Sequence, residues 1–178
     1  MILEPLDVSR CSKASFDIPE GIIGSVAVVT VGFRGASREH LEPVHNTLMD
    51  AFSPLATLDQ FADAGDSKHP VLIDVSYLDS APLSWLRRMI KPGMLEALPA
   101  SVRPHAFICP QIREDITEDI LAGLGVHNRA IGYTFLVDRQ GYIRWGMHGQ
   151  PEQEELDTVV RCTREVLAEP HMVSRVDD

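Results

Sequence analysis

The segment Gly132-Tyr-Thr-Phe-Leu-Val-Asp-Arg-Gln-Gly-Tyr-Ile-Arg-Trp145 constrains the fold more than any other stretch of this chain. Tyr133 to Val137 is a short apolar strand, Asp138 to Gly141 is a cluster of turn formers, and Tyr142 to Trp145 returns as a second strand. Two strands joined by such a turn make a β-hairpin. Pro151 then opens a helix with Glu152, Glu154 and Glu155 in its first turns. Leu156, Val159, Val160, Thr163, Val166 and Leu167 form one stripe along that helix, and Pro170 ends it. A hairpin with an amphipathic helix behind it needs a larger sheet to pack upon, so the rest of the chain must supply one.

Ser25 to Phe33 is a near-continuous apolar run, as in a strand covered on both faces. Gly35 to Ser37 reads as a turn with Ser37 as N-cap, and Leu41, Val44, Leu48, Met49 and Phe52 follow at helical spacing. A polar loop over 62–69 leads into a second strand, Pro70 to Tyr77. Leu83 to Leu98 is a helical stretch broken near Pro92-Gly93, His105 to Cys109 a third strand, and Thr117 to Leu124 a short capped helix. The order β-α-β-α-β-α-β-β-α predicts an α/β domain with a mixed central sheet flanked by helices. One domain over 21–169 is expected, after an extended lead-in, 1–20, and before a tail, 170–178.

A formal net charge of −10 argues against nucleic acid as the main partner, because phosphate binding needs a basic footprint. The longest uncharged stretch, Gly21 to Phe33, is too short to span a bilayer, which takes roughly 20 residues. The N-terminus shows neither a secretory signal nor an Arg-rich presequence. Cys11, Cys109 and Cys162 have no metal or disulfide-framework spacing, and a reducing compartment with unpaired thiols suits them.

Hairpin-plus-helix closes thioredoxin-like domains, and in thioredoxins and peroxiredoxins the reactive cysteine follows the first core strand at a helix N-terminus. There the helix dipole and open N–H groups favour thiolate. Here that place reads Phe33-Arg-Gly-Ala-Ser-Arg-Glu-His40, without sulfur. The approach to the hairpin, Arg129-Ala-Ile-Gly-Tyr133, also lacks the proline that redox folds place there. Cys109 on a strand and Cys162 on the last helix read as small core residues. His40 and His45, five apart, fall on different helix faces, unlike a zincin pair. The acids Glu114, Asp115, Glu118 and Asp119 read as a solvated helix start. No catalytic residue, metal ligand or cofactor site is assigned.

Two features suit a partner-binding surface. Trp85, Arg87, Arg88 and Lys91, with Leu86, Met89 and Ile90, make a basic, apolar helix in an acidic protein. It is either a core stripe with a solvated basic face, or a docking face for an acidic partner, a membrane-embedded one or anionic headgroups. Arg144 and Trp145 end the hairpin, where Trp145 either packs under the last helix or anchors an interface.

Gly132 to Asp138, with Gly141-Tyr-Ile-Arg-Trp145 and the later Glu154-Glu-Leu156 and Arg161-Cys-Thr163, resembles the signature of the ATP-ten family. Val75-Ser-Tyr-Leu-Asp-Ser80 and the paired arginines of the Leu83 to Ile90 stretch add to a similarity spanning roughly Gly21 to Glu169. Members are mitochondrial assembly factors for the membrane sector of F-type ATP synthase. The resemblance implies a thioredoxin-like, peroxiredoxin-related fold without redox chemistry at the matrix side of the mitochondrial inner membrane. It implies binding of newly made ATP synthase subunit a, which then joins the c-ring. Two other classes stay open: a permanent accessory subunit of a large mitochondrial complex, and a thiol oxidoreductase or peroxidase using Cys109 or Cys162.

Overall fold

The computed structural model describes residues 2–5, 16–18, 20–33, 35–56, 68–78, 86–110 and 121–170. The strands are β1 (Ile2–Pro5), β2 (Phe16–Asp17), β3 (Ala27–Gly32), β4 (Val71–Leu78), β5 (Ala106–Pro110), β6 (Tyr133–Val137) and β7 (Ile143–His148). The helices are α1 (Gly35–Phe52), α2 (Arg87–Glu96) and α3 (Gln153–Ala168). One mixed sheet forms in the order β2-β1-β5-β4-β3-β6-β7. Its centre is the parallel trio β5, β4 and β3, and β6 and β7 extend it antiparallel.

β3 and β4 are buried along their whole length, which is why apolar residues dominate both. Alternate side chains serve opposite faces. Val28, Leu72 and Leu136 meet Val44 and Leu48 of α1 and Leu156 and Val166 of α3. Val29, Ile73, Val75, Phe107 and Val137 pack on the other face, under Leu121 and Val126. Each fully buried Val or Leu stabilises the fold by roughly 1.5–3 kcal/mol relative to exposure, so this double-sided core carries the stability.

The hairpin closes through its own side chain. Asp138 Oδ1 accepts from the N–H groups of Gln140 (3.0 Å) and Tyr142 (2.9 Å), and Gly141 takes the left-handed conformation at φ 88°. Arg139, nearly buried, donates to the carbonyls of Val166 (3.1 Å), Leu167 (3.2 Å) and Glu169 (3.3 Å). It thereby adds a donor to the carbonyls at the end of α3, where Val166 O also accepts the Glu169 N–H at 3.3 Å.

Several elements differ from expectation. The lead-in supplies two strands: β1 pairs with β5 and β2 pairs with β1, a use that its mixed polarity hides. Ser37 is the third residue of α1 and not its cap, because its hydroxyl accepts the Phe33 N–H at 3.0 Å. Pro92 does not break α2; its ring removes one donor, and the Gly93 carbonyl still accepts from Ala97 N–H. The returning strand runs to His148, past Trp145. The last helix starts at Gln153, because Glu152 and Glu155 form a reciprocal capping box just after Pro151. Of Thr117 to Leu124, a helical turn is described at 121–123, and the expected cap lies outside the described residues.

Candidate functional site

A buried polar layer sits under α1, where the register places Thr30 of β3 beside Asp74 of β4. Asp74 is fully buried. Its Oδ1 accepts from Thr30 Oγ1 at 3.0 Å, and its Oδ2 accepts from Arg38, whose second amino group donates to Ser76 Oγ. His45 Nε2 lies 3.0 Å from Thr30 Oγ1 and 3.6 Å from Asp74 Oδ1. Thr30 has one hydroxyl proton and gives it to Asp74, so His45 must carry its proton on Nε2 and donate to Thr30.

That direction decides the chemistry. A nucleophilic relay needs the imidazole to take the hydroxyl proton and the hydroxyl to meet a substrate. Here the imidazole donates, and Thr30 is wholly shielded from solvent. The layer is a device for holding Arg38 against the sheet, and burial favours the neutral form of its histidine. Burial lowers the pKa of His45, and Asp74 opposes that shift. Burial, then the neighbouring His45, lowers His105 to about 4, against a hydrogen bond to the Leu72 backbone and the charge of Asp74. No group of three or more metal-ligating side chains converges among the described residues.

Above this layer lies a cleft of about 530 Å³ between α1 and the end of α2, outside the carboxyl ends of β3 and β4. Crevices of open α/β sheets that bind ligands lie at such strand ends. Its walls are mostly apolar: Phe33, Tyr77, Leu78, Met94, Leu98 and Val102. Arg38, His45 and Ser76 reach it from the polar layer, and Glu39, Glu42 and Asn46 stand along its α1 side.

Among the described residues, those singled out from sequence do not line the cleft. Trp85 lies outside the described residues, and of Arg87 only the place in α2 is described. Arg88 is exposed next to Met89, which is 77% exposed, while Lys91 is half-buried. Arg144 makes two bonds to Glu169, at 2.7 and 2.9 Å, and one to Asp138 at 3.2 Å. Those bonds raise its pKa, Glu169 first. Trp145 packs half-buried against the core that α3 covers. Of the described ones, Arg88, Lys91, Arg144 and Trp145 do not line the cleft, although α2 lines it with Met94.

Sequence reasoning missed Arg38, His45 and Asp74. One signal was available: a carboxylate in the middle of Val71-Leu-Ile-Asp-Val-Ser-Tyr77 cannot be buried without a partner. Cys109 is buried in the core of one sheet face, and Cys162 packs half-buried on the other, so the sheet separates them. Cys11 lies outside the described residues. Before β6, Gly132 sits against α1 so closely that a Cβ would fall 2.7 Å from Leu41 and 2.8 Å from the Ser37 carbonyl oxygen. Its N–H donates to His40 Nδ1 at 3.3 Å.

Solved structures share this architecture. The exposed lipoprotein thioredoxin Etrx1 of Streptococcus pneumoniae superposes with a TM-score of 0.52 at 13% identity, over 93% of this chain and 98% of that one. AhpC of Mycobacterium bovis gives 0.51 at 16% identity, over 99% and 91%. At such identities the likeness shows the fold alone, which is thioredoxin-like and peroxiredoxin-related. In sequence, 98 residues are 28% identical to the mitochondrial ATPase complex subunit ATP10 of Eremothecium gossypii, 55% of this chain and 35% of that protein. The matched stretch thus spans about a third of that relative's length. The family model described as ATP10 protein matches residues 12–166, most of the chain, and this is the ATP-ten family that the C-terminal motif resembles. The chain belongs to the ATP10 protein family.

Proposed function

We propose that this protein is a non-enzymatic assembly factor for the membrane sector of mitochondrial ATP synthase. It binds newly made subunit a and promotes its joining to the c-ring, acting peripherally at the matrix side of the inner membrane. The observation that carries this reading is family membership over residues 12–166. The designation of the Eremothecium relative as a mitochondrial ATPase complex subunit supports the mitochondrial setting. The start of α1 supports a role without thiol chemistry. The stretch 33–40, where thioredoxins and peroxiredoxins carry their thiolate, holds no cysteine, and its Ser37 hydroxyl is engaged with the Phe33 N–H. Among the described residues no helix is long and apolar enough to cross a membrane, which accords with peripheral association.

A second reading, a permanent accessory subunit, draws on the word "subunit" in that relative's name. Affinity capture from mitochondria, with ATP synthase assembly running and then blocked, separates the two. Capture of subunit a that rises when assembly stalls supports the assembly factor. Constant, stoichiometric capture with finished enzyme supports the accessory subunit, and capture of no ATP synthase component refutes both. For the basic surface of α2, Arg87→Glu with Arg88→Glu is expected to weaken partner or membrane association in a folded protein. Unchanged association would remove Trp85, Arg87, Arg88 and Lys91 from the interface. Arg144 and Trp145 are tested the same way, by Arg144→Gln and Trp145→Leu.

A further inference from the structure

We propose that the cleft between α1 and α2 is a docking groove for a polypeptide segment that is apolar and carries lysine or arginine. The inference rests on the reading of the chain as a protein-binding factor, and it assigns that role to a surface away from the basic face of α2. Three observations support it.

The first is the lining. Phe33, Leu78, Leu98 and Val102 are fixed core residues that reach the cleft, whereas Met94 is half-buried and adaptable. An apolar trough of about 530 Å³ has room for several side chains of a bound segment.

The second is electrostatic. Among the described residues of the cleft wall Arg38 is the one Lys or Arg, and its charge is already compensated by buried Asp74. Ser76 and His45 are likewise engaged, and burial keeps His45 neutral. Among the described residues, the floor therefore offers no uncompensated positive charge to a phosphate or carboxylate ligand. On the α1 side, Glu39 and Glu42 are exposed, one helical turn apart, and make no ion pair among the described residues. Two open carboxylates over an apolar floor complement a cation on an apolar segment. They disfavour an acidic one by like-charge repulsion.

The third is mechanical. The Asp74–Arg38–Ser76 bonds pin the first turns of α1 to β4, and Leu41 and Val44 pack fully buried below. The acidic wall is therefore held rigid, so little ordering accompanies binding.

The test uses the recombinant full chain and three fluorescent synthetic helical peptides. They share one Leu/Ala scaffold and differ in two positions, both Lys, both Gln or both Glu. The wild type is expected to bind the Lys peptide at least ten-fold tighter than the Glu peptide. Glu39→Lys with Glu42→Lys should reverse that order. Ala97→Trp, at an exposed position on the cleft wall, should weaken the Lys and Gln peptides about ten-fold by filling the trough. All three substituted sites are exposed, and circular dichroism checks that the variants are folded. If a charge-reversed protein does not fold, Glu39→Gln with Glu42→Gln should abolish the preference between peptides.

An unchanged peptide order in the charge-reversed protein would overturn the proposal, because the attraction would then come from the net charge of −10. Insensitivity to Ala97→Trp would overturn it too. So would a dimer in sedimentation that Ala97→Trp dissolves, since a second copy would then own the groove. In the mitochondrial capture experiment, equal recovery of ATP synthase components by wild type and Ala97→Trp would remove the cleft and leave the function. Peptide binding as expected with no such capture would do the reverse.

Discussion

Replacing His105 by glutamine should remove a large part of the pH sensitivity of folding below neutrality. His105 is 5% exposed, its Nδ1 has no hydrogen-bond partner, and burial lowers its pKa from 6.5 to about 4. Between those values the unfolded chain holds a proton on this ring that the native state does not. Stability from this residue is therefore fully present above pH 6.5 and is lost as pH falls toward the folded value. Linkage with 6.5 and about 4 gives a loss of about 2 kcal/mol at pH 5 and about 3 kcal/mol at pH 4. Urea unfolding followed by far-UV circular dichroism at pH 7.5 and pH 5 measures it. Carboxylates contribute to the acid loss of both proteins, so the quantity is the difference between their losses. With an m-value of about 2 kcal/mol/M, the wild-type midpoint should fall about 1 M further than the midpoint of His105→Gln. The variant also relieves the repulsion between the two histidines, which acts in the same direction. Equal losses, within about 0.5 kcal/mol, would refute the claim that this ring is buried neutral at a cost on protonation.

Asp74→Asn should destabilise by about 3 kcal/mol, since it strips a partly buried guanidinium of its anion. In a double-mutant cycle with Arg38→Met and Asp74→Leu, urea unfolding should return a coupling of about 2 kcal/mol; additivity would dissolve the network. Gly132→Ala should lower the unfolding free energy by about 2 kcal/mol, because its Cβ would meet the Ser37 carbonyl oxygen at 2.8 Å and backbone cannot step aside. A wild-type melting temperature in that variant would refute the close approach. Arg139→Met keeps the apolar stem but removes the guanidinium bonds to the end of α3, leaving Val166 O with the Glu169 N–H. A loss of about 2 kcal/mol is expected, with early exchange of amides near the C-terminal end of α3.

The sheet and helices were legible because their signals are local. The unbroken run Val28, Val29, Thr30 and Val31 marks β3 as a strand buried on both faces. Leu156, Val159, Thr163 and Val166 announce α3 through their helical spacing. The N-terminal strands were not legible, since β1 joins the sheet by pairing with β5, about a hundred residues away in sequence. The candidate site was hidden for the same reason. Arg38, His45, Asp74 and Ser76 come from two elements, and nothing in the spacing of either says that they meet. The cleft depends still more on packing, because its apolar walls, Phe33, Leu78, Leu98 and Val102, differ from other core residues only in what lies beside them.

The Arg139 clasp has a consequence for how the chain is made. The carbonyls that receive its guanidinium lie 27 to 30 residues downstream. As the ribosome extends the protein, the hairpin turn emerges first and carries a cation with no acceptors at hand. It stays provisional until Glu169 has followed. A chain broken off before Val166 keeps the signature strands yet cannot seat them, which leaves its central sheet open to proteases.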